Sequence, residues 1–212
     1  NILDPNKLFA AAGRGTGKTT EITAPRMLRV ADTMPRETSI ISHKSYVALF
    51  QNVIPAILAA FNEEVKLSDG STRPRLREGI DFVVGEKDLP SFFRTPRYKR
   101  LYPERSIVFA NGHVCQAVAI DRPDSVAGLS VVHVLCEEAK YTNAEKFRSR
   151  VVPAIRTSRI GAGSDAHKSH LHGGMTVVSD IGRVSLGESN WFEEYAKDVD
   201  PQLIEDILSL AL

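Results

Sequence analysis

A short apolar run over residues 9–12 passes directly into a glycine-rich loop, Ala12-Gly13-Arg14-Gly15-Thr16-Gly17-Lys18-Thr19, and a helical pattern starts at Thr19. Strand, glycine loop and helix N-terminus in that order form a phosphate cradle, the P-loop, here with Ala12 in place of the pattern's first glycine. Glycines let backbone N–H groups converge on a phosphate without a Cβ in the way, and the helix N-terminus adds partial positive charge. Lys18 would reach the outer phosphates of ATP, and the Thr19 hydroxyl would sit on Mg²⁺. Arg14 either reaches charge developing on the terminal phosphate or simply faces solvent.

A second constraint lies far downstream. Residues 131–136 form an almost continuous apolar run, as expected for a strand buried on both faces, and it ends in Glu137 and Glu138. In P-loop ATPases such a strand lies beside the P-loop strand. On that reading Glu137 holds the magnesium shell, and Glu138 orients or deprotonates the attacking water. His133 within the run reads as a hydrogen-bonded core histidine.

Between these points the pattern alternates. A helix is expected over 19–30, kinked or stopped by Pro25, then a strand over 39–42 and a helix over 45–61 interrupted by Pro55. Residues 66–77 are polar with an Asp69-Gly70 turn, and 80–84 reads as a strand. Residues 106–110 and 114–120 flank Asn111-Gly112, a strong hairpin signal. A helix should start near Asn143, followed by a mobile loop over 161–174, a strand over 175–178, and helices over 191–197 and 201–212. The expectation is an α/β fold: a P-loop NTPase with a mainly parallel central sheet flanked by helices and an inserted β-hairpin, residues 1–212 forming one domain.

Composition adds limits. The 212 residues carry 27 basic and 26 acidic side chains, so any case for nucleic acid must rest on local clusters. One cluster is Arg94, Arg97, Lys99, Arg100 and Arg105 with Tyr98 interleaved; it reads as a DNA-phosphate contact, a reach toward a neighbour's nucleotide, or a solvated loop. Arg148, Arg150, Arg156 and Arg159 are a DNA track or a solvated helix face. His167, His170 and His172 lack a convincing fourth ligand and read as loop residues. Cys115 and Cys136 lie in apolar runs and read as buried small hydrophobes. No run approaches the length of a membrane span. The chain opens at Asn1 without an initiator Met and reads as a portion of something longer.

Taken in order, GRGTGKT, the hairpin SIVFANGHVCQAVAIDRP, the segment DSVAGLSVVHVLCEEA and the later strand MTVVSD resemble the ATPase domain of bacteriophage terminase large subunits. The resemblance runs from about Leu8 to Asp180. It implies an ATP-hydrolysing motor that translocates double-stranded DNA into a capsid, with ATP and Mg²⁺ as cofactors. Ala12, Gly13, Arg14, Gly15, Thr16, Gly17, Lys18, Thr19 and Thr20 would hold the nucleotide, Arg14, Lys18 and Glu138 would serve catalysis, and Thr19 and Glu137 the metal. Ser179 matches the coupling position, although the family continues with small residues where this chain has Asp180-Ile181-Gly182. The implied partners are the portal protein and the small terminase subunit, with a homo-oligomeric ring and no membrane, in the cytoplasm of the infected or lysogenic bacterial host. Nothing after Trp191 resembles the family's nuclease domain, so ATPase activity without DNA cleavage is expected. A helicase or repair-type nucleic-acid-dependent ATPase and a nucleotide-gated, non-catalytic module are the alternatives.

Overall fold

The computed structural model describes residues 4–122, 126–155, 164–186, 188–198, 200–202, 205–206 and 209. Its centre is a seven-stranded sheet of order β1-β9-β8-β2-β7-β6-β5. The strands are β1 Lys7–Ala11, β2 Thr38–His43, β5 Phe82–Val84, β6 Ser106–Phe109, β7 Val114–Ala119, β8 His133–Glu137 and β9 Gly174–Ser179. The run from β1 to β7 is parallel, while β6 and β5 are antiparallel. The mainly parallel sheet, the flanking helices and the inserted hairpin therefore match the sequence expectation. Between the two glutamates and the phosphate loop the order differs: β9 separates β8 from β1, so the acidic strand is not the immediate neighbour of the P-loop strand.

Side-chain alternation along the strands builds a core on each face. Ile41 and Leu135 point toward Met27, Leu49, Ile57 and Phe61. Ile40, Val134 and Cys136 point the other way, toward Phe147, Val151, Val177 and Trp191. Strands apolar at every position are thus what a sheet covered on both sides requires. Burial pushes the thiols of Cys115 and Cys136 up to about 12, leaving them inert packing groups.

Prolines shape the helices in a way the sequence pattern understated. α1, Ala24–Thr33, is entered through a π turn, Thr19–Thr23; a second π turn, Leu49–Val53, joins α2, Tyr46–Ala48, to α3, Ile54–Phe61; a third, Phe147–Val151, follows α4, Ala144–Lys146. Each closes with an N–H bonded five residues back: Ala24 to Thr19, Ile54 to Leu49 and Val152 to Phe147. A proline follows immediately each time, at 25, 55 and 153. A proline inside an α-helix crowds the carbonyl four residues earlier and costs about 3 kcal/mol or more. Widening the preceding turn by one residue moves that carbonyl aside, so the helix continues into α1 and α3, and into a single 3-10 turn, Val152–Ala154, in the third case.

Other expectations are corrected. The polar stretch after α3 contains a two-stranded antiparallel ribbon, β3 Glu64–Lys66 and β4 Thr72–Pro74. The region read as a mobile loop over 161–174 is ordered from Ser164 onward. The Asn6 amide donates to the carbonyls of His170 (2.7 Å) and His172 (3.0 Å), and Ser164 donates to Glu37 (2.6 Å). Residues 161–163, Arg156 and Arg159 lie outside the described residues, as does most of the expected helix 201–212. Asn111-Gly112 does turn the β6–β7 hairpin. Gly112 adopts φ +84°, and a Cβ there would meet the Arg94 carbonyl at 2.7 Å, so the position requires glycine. Among the described residues no helix is long and apolar enough to cross a membrane.

Two histidines are sealed inside this framework. His113 Nδ1 donates to the Met34 carbonyl and Nε2 accepts from the Ser39 hydroxyl, both at 2.8 Å. His133 Nδ1 donates to the Leu171 carbonyl (2.9 Å), and Nε2 accepts from Thr176 (3.1 Å). Burial holds both imidazoles neutral, pushed down to about 4 from 6.5. Above pH 6.5 both folded and unfolded chains carry them neutral and the stability is fully present. As pH falls toward 4 the unfolded chain takes up protons that the folded chain refuses, and stability is lost at about 1.4 kcal/mol per pH unit per histidine. The urea-denaturation stability of His133→Gln should therefore fall less steeply than the parent's between pH 6 and 4.5, by about 1.4 kcal/mol per pH unit, a difference in which the other titrating groups cancel.

Candidate functional site

The carboxyl ends of β1, β9, β8 and β2 lie along one edge of the sheet, and a cleft of about 580 Å³ opens there. Arg14 and Thr19 come from the loop after β1, Glu137 and Glu138 from the end of β8, Asp180 from the end of β9, and His43, Lys44 and Ser45 from the end of β2. The loop and the two glutamates, 118 residues or more apart in sequence (137 − 19), therefore face the same space. Convergence does not need adjacency of β1 and β8. β9 pairs with both, Ala11 facing Ser179 and Val178 facing Glu137.

The loop takes its shape from two left-handed glycines, Gly15 at φ +76° and Gly17 at φ +75°. Thr16 and Thr20 bind back onto the loop through their hydroxyls, to the carbonyls of Gly13 (2.8 Å) and Gly17 (2.9 Å). The Ala12 amide bonds the Ser179 carbonyl (3.2 Å), seating the loop on β9. Lys18 donates to the carbonyls of Gly13 (2.7 Å) and Ala12 (3.4 Å) and to the carboxylate of Asp180.

Glu137 is buried at the strand end and accepts from the Thr23 hydroxyl, with Thr19 adding a further hydrogen bond. Thr19 and Thr23 share the face of the π turn that precedes Pro25, so the helix start supplies two hydroxyls to one carboxylate. Burial pushes the Glu137 carboxyl up to about 7; the Thr23 bond draws it down, and the charge of Glu138 opposes that. Glu138 is also raised, by burial and then by Asp180, against the pull of Lys140, Lys18 and Arg14. Its backbone is left-handed at φ 51°, ψ 51°, and its Oε2 is buried without a hydrogen-bond partner among the described residues. A strained residue carrying an unpartnered carboxylate oxygen into a cleft is the signature of a group held for chemistry rather than for stability.

Ser179, expected at the coupling position, and Asp180 make different contacts at the β9 terminus. The Ser179 hydroxyl accepts from the Lys140 amide (3.0 Å), bracing the turn that carries Glu138. Asp180 faces the cleft and bridges Lys18 and Lys140, the latter at 3.2 Å. Burial acts upward on its carboxyl, but the bonds and charges of the two lysines outweigh it and hold it below its usual value. Lys140 also pairs with Glu188 at 3.6 Å. Sequence reading missed Thr23, Lys140 and the cleft-facing role of Asp180. The one signal for Asp180 was a charged residue where a small one was expected.

The basic cluster is partly committed elsewhere. Arg97 pairs with buried Glu37 (2.7 Å), and Arg100 donates to the carbonyls of Glu86 and Lys87 (both 2.6 Å). Arg105 stacks over Tyr46, 4.5 Å from the ring centre. Arg94 and Lys99 remain on the exposed surface. Arg148 pairs with Glu194 (2.7 Å) and Arg150 donates to the Ile120 carbonyl (3.2 Å). Among the described residues no three His, Cys, Asp or Glu side chains form a metal cluster, and His170 pairs with Asp4 (2.7 Å).

No protein-family model and no curated protein matches the chain. Among solved structures, the large terminase of a thermophilic bacteriophage in complex with ADP is similar at TM-score 0.50 and 13% identity, over 85% of this chain and 34% of that one. The large terminase ATPase domain of Thermus phage P74-26 gives TM-score 0.48 and 16% identity over 91% and 64% of the two chains. The Phi-28 gp11 DNA packaging motor gives 0.45 and 14% over 92% and 53%. At such identities the likeness with the ADP complex is one of fold, and this chain spans about a third of that terminase's length.

The left-handed backbone of Glu138 costs about 1–2 kcal/mol, more than the roughly 0.5–1 kcal/mol entropic cost of a glycine in its place. The unpartnered oxygen would vanish as well. Glu138→Gly should therefore melt about 2–4 °C above the parent. A lower melting temperature in a thermal scan would show that the residue is unstrained.

Proposed function

We propose that this chain is the ATP-hydrolysing motor domain of a viral DNA-packaging terminase, which drives double-stranded DNA into a capsid. The observation that carries the enzymatic part is the shared cleft. A glycine loop with Lys18 and Thr19 opens onto the same space as two carboxylates whose basicity burial has raised. Kinship of fold with the ADP-bound bacteriophage terminase supports the wider reading.

In this mechanism the amides of Gly13 to Lys18 and the helix start at Thr19 cradle the phosphates of ATP, Thr20 closing the loop behind them. Lys18 neutralises the outer phosphates, and Arg14 at the cleft mouth meets charge developing on the terminal one. A magnesium ion suits the donor set. The Glu137 carboxylate and the Thr19 hydroxyl, both hard oxygen donors, would hold it. Bound there, it would offset negative charge on the β- and γ-phosphates. Glu138 takes a proton from the attacking water as the water oxygen bonds to the γ-phosphorus. The bond from that phosphorus to the bridging oxygen breaks, leaving ADP and phosphate. A carboxylate raised above its ordinary value is the stronger base for this step. Ser179, braced against the Glu138 turn, passes loss of the phosphate to the segment beyond β9.

The wider proposal places the domain in a homo-oligomeric ring on a portal protein, with a small terminase subunit, in the cytoplasm of the infected or lysogenic bacterial host. Lys18→Ala should lose both nucleotide binding and turnover. Glu138→Gln should bind ATP like the parent while turnover, followed by phosphate release, falls about 10²–10⁴-fold. Hydrolysis at the parental rate in Glu138→Gln would rule out its role as base. Nucleotide binding by the parent without turnover, with or without duplex DNA, would replace the motor by a nucleotide-gated module.

A further inference from the structure

The Lys18 ammonium has three protons and faces three acceptors: the Gly13 carbonyl at 2.7 Å, the Ala12 carbonyl at 3.4 Å and the Asp180 carboxylate. Two of these belong to the loop itself. The third comes from the residue after Ser179, on the strand against which the loop is seated, and it faces the cleft. Lys18 and Asp180 are both largely shielded from water, their side chains 9% and 11% exposed, so their attraction is weakly screened. Of the three acceptors only the Asp180 carboxylate carries a charge that competes with a phosphate oxygen for Lys18. The phosphate's charge would also stand beside two carboxylates, Asp180 and Glu138, which already repel each other.

Asp180 has somewhere to go. Its other oxygen lies 3.2 Å from the Lys140 ammonium, which is shared with Glu188 at 3.6 Å. The main chain of Lys140 is tied on both sides. Its amide donates to the Ser179 hydroxyl, and its carbonyl accepts from the Ser189 amide, each at 3.0 Å. The Gly182 amide is in turn held by Asn190 at 2.5 Å. A carboxylate that leaves Lys18 and moves fully onto Lys140 weakens the Lys140–Glu188 pair and strains the turn these bonds secure.

Resting on the nucleotide-binding reading of the loop, we infer that Asp180 is a resident counter-ion which an incoming phosphate displaces from Lys18. Lys140 then carries that displacement to the turn holding Gly182 and Ser189. Asp180 is a positioning residue on this account. It sets how much nucleotide is needed to engage the loop, and it converts engagement into movement beyond β9 without touching the reacting atoms.

The test uses ADP carrying a ribose-linked fluorophore, titrated into the parent, Asp180→Asn and Asp180→Glu, with thermal melts to establish folding. Removing the competing charge raises the fraction of loops ready for phosphate, so Asp180→Asn should bind at least about 10-fold more tightly, and Asp180→Glu should stay near the parent. An unchanged or weaker affinity in a folded Asp180→Asn overturns the counter-ion role. In parallel, hydrogen exchange on the unmodified protein should show the Gly182 and Ser189 amides exchanging faster at saturating ADP while loop amides slow. Slowed loop amides with unchanged Gly182 and Ser189 overturn the relay, and this arm decides the matter should Asp180→Asn fail to fold. Binding by Asp180→Asn alone is the extreme form of the expected result. Binding by none of the three overturns the nucleotide reading, and the inference with it.

Discussion

The hydroxyls at the start of the first helix and the buried carboxylate of Glu137 hold the cleft together. Without this pair of donors, Thr23 and Thr19, a carboxylate at the end of a strand buried on both faces would carry the full cost of leaving water, which amounts to several kcal/mol for an isolated charge. With it, the helix start is fastened to the strand end, and the loop between β1 and α1 is fixed in position over the two glutamates. The fold and the site are therefore coupled through these two hydroxyls. The helix cannot rotate away without exposing an unsatisfied carboxylate.

Around that contact the cleft is balanced in charge. Arg14, Lys18, Lys44 and Lys140 face Glu137, Glu138 and Asp180, so the protonation of the three carboxyls is set by burial and by their neighbours. After burial, the charge of Glu138 hinders ionisation of Glu137 and that of Asp180 hinders ionisation of Glu138, while two ammonium groups hold Asp180 below its usual value. A divalent cation or a polyphosphate entering this space would shift every one of these balances at once. The same near-neutrality explains why net charge over the whole chain says nothing about what the cleft receives.

Much of this was legible beforehand. The loop, the paired glutamates, the Asn-Gly hairpin and the core role of His133 each rest on a local pattern with its own mechanism: glycine dihedrals, an apolar strand with an acidic end, a turn that needs glycine, a histidine on an apolar face. What stayed hidden is non-local. Strand order cannot be read from strand content, so the insertion of β9 between β1 and β8 went unseen. The engagement of Asp180 with Lys18 spans 162 residues and leaves no periodicity behind. The prolines were visible but misjudged, because a turn widened by one residue is an outcome that helix propensity does not describe. The basic cluster was misjudged differently. Arg97 and Arg100 look like surface charge in sequence, yet one is spent on a buried glutamate and the other on two main-chain carbonyls.

The place of β9 has one more consequence. Its hydrogen bonds run to the strand that feeds the phosphate loop on one side and to the strand that ends in the glutamates on the other. A slip or tilt of this single ribbon is thus communicated to the glycine loop and the paired glutamates together. Mutational drift at its residues must satisfy two ladders simultaneously, so Gly174–Ser179 ought to tolerate fewer substitutions than β1, which is paired on one side alone among the described residues.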